Sequence, residues 1–171
     1  MLGRKQALIL GGMLGALAAG IAVVFYVQWG APDPAPANAG ERVAFAARWL
    51  LIPGLALLAG VGLTANRRFF IPEAIDGQRW VEDRAFEINQ RYNQNTLEQT
   101  VLAAVAWLGL SLVLPAEQLG VIARMAVLFG VGRAAFWVGY LQAPWARAFG
   151  MGLTAYPTFA ALAYLAWTTI R

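Results

Sequence analysis

Few residues in this sequence can do chemistry, and they are unevenly placed. The chain contains no Cys and no His. That excludes a disulfide, a zinc–thiolate site, a protein thiol nucleophile, a Ser-His triad and a haem histidine. No metal site is expected. Chemistry falls to Arg, Asp/Glu, Tyr, Ser/Thr, Asn/Gln and the backbone. Arg91, Asn95 and Glu98 lie at i, i+4 and i+7, which makes one stripe of a helix starting near Arg91. Arg133, Trp137 and Tyr140 repeat that spacing, and Arg147 follows seven residues after Tyr140. Several guanidiniums set against one carboxylate suit an anionic ligand, because Arg binds carboxylates bidentately.

The elements that position them belong to a membrane. The chain has 171 residues, 60% hydrophobic and 13% charged. A soluble domain has roughly 45–50% and about 25%. Five stretches approach the about 20 apolar residues of a membrane span: Ala7–Trp29, Val43–Ala65, Asn95–Leu114, Val121–Leu141 and Phe149–Ile170. The first run is longer than the about 7–15 residues of a signal-peptide core, so it reads as a retained helix. An alternative cleavage site is Ala37-Asn38-Ala39. Gly30–Gly40 is a Pro/Ala-rich linker, and Asn66–Gln94 is the longest polar loop, open to helix from Asp76 onward. The fold class is all-α integral membrane. Residues 1–42 form a first helix with its linker, and residues 43–171 form the main domain.

Basic residues set the orientation. Arg4, Lys5, Arg67, Arg68, Arg79, Arg84, Arg91 and Arg147 share one side if all five stretches cross; Arg42 and Arg171 lie on the other. The positive-inside rule then puts the N-terminus in the cytoplasm and the C-terminus opposite. The charge reports topology and forms no dedicated patch, so no nucleic-acid partner is expected.

Arg133 is the deepest charge. It precedes Gln142 by nine residues, or about 13 Å of helix. Glu98 is the expected partner, since the fourth and third spans are joined by the short Pro115–Gly120 turn. Two readings stand side by side. One is a structural ion pair between helices. The other is an inward-facing pocket in which Arg91, Arg133 and Arg147 outnumber Glu98 and hold an anion. The Asp, Glu and Arg residues of Gly77–Glu87 read as a solvated face.

The segment RYNQNTLEQT, carrying Arg91, Asn95 and Glu98, resembles the MAPEG superfamily, the membrane-associated proteins of eicosanoid and glutathione metabolism. GRAAFWVGY, Gly132–Tyr140, and Arg147 follow in the matching order, and Asn66-Arg67-Arg68-Phe69 is similar to the family's paired-arginine helix exit. The resemblance covers about Val43–Arg171 and implies a four-helix bundle with one additional N-terminal helix, assembled as a homotrimer. It implies glutathione as co-substrate, held by Arg91, Asn95 and Glu98 and lined by Arg133 and Tyr140. It implies that Arg147 stabilises the glutathione thiolate and, more weakly, that Arg68 donates a proton. The chain departs from the pattern at Phe136 and Gln99, where members carry Tyr, and at Val101, where a Pro is common.

Three functions follow as expectations. The first is a glutathione transferase or peroxidase acting on lipophilic electrophiles that arrive through the lipid bilayer. The second is a non-catalytic membrane protein of the same fold that binds a lipid or a partner subunit. The third is a small transporter with Arg133 in its path.

Overall fold

The computed structural model describes residues 3–32, 35–71 and 83–171, and no strand occurs among them. Glu73, Asp76, Arg79 and Glu82 of the long polar loop, and with them the start of its expected helix, lie outside the described residues. Helix α1 (Arg4–Ile21) runs on through a wide π turn, Ala22–Tyr26. Helices α2 (Ala39–Trp49) and α3 (Leu51–Phe70) follow almost without interruption. Then come α4 (Arg84–Val113), a 3-10 turn at Ala116–Gln118, α5 (Gly120–Gln142) and α6 (Ala148–Ile170).

Among the described residues, four segments are long and apolar enough to cross a membrane: Arg4–Tyr26, Ala39–Phe70, Arg84–Val113 and Ala116–Gln142. The chain is an integral, multi-pass membrane protein in a lipid bilayer. Helix α6 has 23 residues and packs beside them on α5 and α1. Thr154, Tyr156, Pro157 and Thr158 lower its hydropathy, and they sit there for packing and bonding. Thr158 Oγ1 donates to the Thr154 carbonyl at 2.9 Å, so its hydroxyl is satisfied within the helix.

Caps and cross-links fix where the helices begin. Asn38 Oδ1 accepts from the Glu41 amide at 3.0 Å and starts α2. Asp83 accepts from the Phe86 amide at 2.7 Å and starts α4. The same Asp83 pairs with Arg67 at 3.1 Å, which ties the end of α3 to the head of α4. Arg42 donates to the carbonyls of Ser111 and Leu114 at 3.2 and 2.7 Å. It thereby closes the C-terminal end of α4, where unpaired carbonyls favour a cation.

The core lies between α4, α5 and their neighbours. Trp107 and Phe129 meet edge to face with centroids 6.2 Å apart, both buried, among Ala103, Ala106, Ile122 and Ala126. Helices α5 and α6 approach very closely. A Cβ at Gly150 would stand 2.2 Å from the Phe136 amide nitrogen, so only Gly fits there. Helix α1 packs on α6 in the same manner, with a Cβ at Gly152 falling 2.7 Å from Ala16 Cβ. Small residues let membrane helices touch backbone to backbone. The first helix is therefore part of the bundle.

Candidate functional site

The close approach of α5 and α6 brings the chemistry-bearing residues to one end of the bundle. Arg91 Nη1 donates to the Tyr140 hydroxyl at 2.9 Å, joining α4 to α5. Arg91 also pairs with Glu87 one turn earlier on α4. The Arg147 guanidinium lies over the Tyr140 ring, 4.5 Å from its centroid. Tyr140 is buried and so held by two arginines at once, one at its hydroxyl and one at its face. Arg147 makes no ion pair among the described residues.

Arg91 and Arg147 border a cleft of about 400 Å³, which the buried Tyr140 does not itself line, contrary to expectation. Arg91 and Asn95 of α4 line it, with Phe136 of α5, Arg147 beside the head of α6, and Met151 of α6. Ile9 and Met13 of α1 line it too. Sequence reasoning missed this role of α1. Its signal is the Gly12 and Ala16 spacing that seats α1 on α6, which carries no charge and so drew no notice. The cleft is basic at one end and apolar along its walls, a shape suited to an anionic head beside a lipophilic body.

Arg133 lies behind the cleft wall, 1% exposed. Its Nη1 donates to Asn95 Oδ1 at 2.7 Å and its Nη2 to Thr154 Oγ1 at 2.7 Å. Its guanidinium also stacks on Phe136, 4.7 Å from the ring centroid. Phe136 thus serves as a platform for the buried cation. The expected ion pair with Glu98 does not form. Glu98 is exposed and accepts from Gln94 Nε2 at 2.8 Å. The reason is direction. Thr154 draws the guanidinium toward α6, and Asn95, one turn nearer the basic end than Glu98, takes its other edge. Charge complementarity pointed to the carboxylate; a neutral amide and a hydroxyl instead take the two terminal nitrogens of Arg133 without burying a second ion, while its buried Nε has no partner among the described residues. Thr154 was not foreseen, because a threonine in an apolar helix does not name its partner in one sequence.

The remaining site residues divide. Asn95 joins the two sets, since it faces both the cleft and Arg133. Glu98 does not line the cleft and is exposed on α4. Arg68 is exposed at the end of α3 and lies apart from the cleft of its own chain. Trp137 turns to the other side, where its Nε1 donates to Asn89 at 3.0 Å.

The fold and this cleft define an all-helical membrane bundle with an arginine-lined site at one end. Residues 43–170 match the model of the MAPEG family. The chain belongs to that family, with α1 preceding the matched region. No curated protein and no solved structure matches it.

Proposed function

We propose that this protein binds glutathione in the Arg91–Arg147 cleft and transfers it to lipophilic electrophiles or uses it to reduce lipid peroxides. The observation that carries the reading is Tyr140 held between Arg91 and Arg147, with Arg147 free of any acid among the described residues. Glutathione carries two carboxylates and a thiol. Arg91 and Asn95 suit a carboxylate and an amide, and Arg147 suits the sulfur. A nearby guanidinium favours the thiolate over the thiol, and the thiolate is the nucleophile. In conjugation the sulfur forms a bond to the electrophilic carbon, and the leaving group departs with the bonding electrons. The chain brings no thiol of its own, so the ligand must supply it.

Glu98 and Gln94 support a homotrimer with sites between subunits. Both polar side chains are exposed on α4 of a single chain, in or beside its apolar stretch. Polar groups at such a position face a protein neighbour rather than lipid. In this assembly Glu98 reaches the ligand's ammonium group, and Arg68 of one copy serves the cleft of the next. Residues 1–42 then form a wall added to a four-helix domain of residues 43–171. The basic ends of α3 and α4 support a cleft and an N-terminus on the cytoplasmic side, with the C-terminus opposite.

A second reading keeps the fold and the cleft without catalysis. Phe136 favours it, because that position borders the cleft and offers no hydroxyl to a ligand. Purified protein titrated with glutathione, followed by thiolate absorbance, separates the two. Binding with a thiolate band supports the enzyme. Binding without the band, and without turnover of a model electrophile, supports the non-catalytic protein.

A further inference from the structure

A second, larger cleft lies at the opposite end of the bundle. Its volume is about 840 Å³, within the roughly 300–1,000 Å³ of ligand sites. Its floor is apolar, built from Leu17 and Gly20 of α1, Met125 of α5, and Pro157 and Ala161 of α6. Its mouth is polar. Glu117 from the 3-10 turn and Arg124 from the second turn of α5 both border it. These opposite charges make no ion pair with each other. Arg124 instead donates to the Trp29 carbonyl at 2.8 Å, which fastens the segment after the π turn to α5 and forms the rim.

We infer that this cleft holds one acyl chain of a zwitterionic phospholipid, with the phosphate at Arg124 and the ammonium at Glu117. The bilayer surrounding the bundle supplies such molecules at the cleft. Along α1 and the π turn that continues it, from Leu17 to Phe25, the groove runs about 12 Å at helical rise. An apolar trough of that length closing on a separated cation and anion complements an amphiphile with both charges on its head. A primary ammonium, able to hydrogen-bond the Glu117 carboxylate, fits better than a headgroup with a net negative charge. The site is independent of the glutathione cleft. It depends on α1, which supplies much of its floor and precedes the family-matched region.

The test uses the full-length protein, stripped of lipid in detergent and examined by native mass spectrometry. The probes are dioleoyl phosphatidylethanolamine, dioleoyl phosphatidylglycerol and dioleoylglycerol. We expect one phosphatidylethanolamine per chain, retained about tenfold more strongly than the uncharged diacylglycerol, the ratio of one lost charge-assisted contact. Arg124→Gln removes most of that preference. Glu117→Gln removes the preference for phosphatidylethanolamine over phosphatidylglycerol. Ala160 lines the cleft and is exposed, so Ala160→Trp fills the trough without entering the core. It abolishes retention while the melting temperature holds. Equal retention of the three lipids, undiminished retention by Ala160→Trp, or a second copy of the chain chemically cross-linked across the cleft each overturns the assignment.

Discussion

The Arg91 guanidinium and the Tyr140 hydroxyl stand 2.9 Å apart, and this bond joins the head of α4 to the end of α5. The two residues are 49 positions apart in sequence. Their meeting requires α5 to return antiparallel to α4 through the short turn at Ala116–Gln118. Arg147 then closes over the Tyr140 ring from the start of α6. Three helices thus contribute one side chain each to a single cluster.

Tyr140→Phe keeps the ring beneath Arg147 and removes the hydroxyl that orients Arg91. We expect glutathione affinity to weaken by about 0.5–1.5 kcal/mol, the usual net worth of one hydrogen bond. Thiolate yield at saturating glutathione stays near wild type. Isothermal titration together with the saturated absorbance checks both parts. A loss of thiolate at saturation would assign Tyr140 a direct part in the chemistry.

Arg147→Ala removes the one cleft arginine that has no acid partner among the described residues. We expect the thiolate population at neutral pH to fall about tenfold or more, as removal of an adjacent cation raises a thiol's pKa. The melting temperature persists. Full thiolate yield in the variant would refute the role given to Arg147.

Asn95→Ala and Glu98→Ala separate the two candidate partners of Arg133. Loss of Asn95 takes a hydrogen bond from a buried guanidinium, which costs about 1.5–3 kcal/mol for a charged donor. Glu98→Ala leaves Arg133 untouched, and we expect its thermal stability to stay near wild type. Melting curves in detergent decide between them. Greater destabilisation by Glu98→Ala than by Asn95→Ala would restore the ion pair that spacing alone favoured.

Gly150→Leu tests the contact that assembles the site. Its side chain would have to occupy the space of the Phe136 backbone, with Gly132 pressed from the same side. We expect the variant to misfold, or to fold with α5 and α6 parted and without glutathione binding. A variant with wild-type melting and binding would show that this approach is not needed.

Much of the site is legible in the sequence because helices convert spacing into direction. Arg91 and Asn95 share a face at i and i+4, and both line the cleft. Tyr140 and Arg147 fall at the junction of two helices that a short loop keeps close. Glu98 shows where such reasoning stops. Its spacing puts it on the stripe, but its partner depends on which way Arg133 turns, and that is set by Thr154 on a third helix. The packing of α1 was also out of reach. Gly12, Ala16 and Gly152 contribute close van der Waals contact, and small residues carry no charge or period that names their partner. Five stretches were long enough to span, and the threonines of α6 lower its hydropathy while serving the interior.

The central claim is a glutathione site with a guanidinium at the sulfur. Its most direct test is the difference absorbance of the purified protein across a glutathione titration to millimolar concentration, repeated with S-methylglutathione, which cannot ionise. The account predicts a saturable thiolate band with glutathione and none with the methylated analogue. No saturable band and no heat of binding at millimolar glutathione would contradict it.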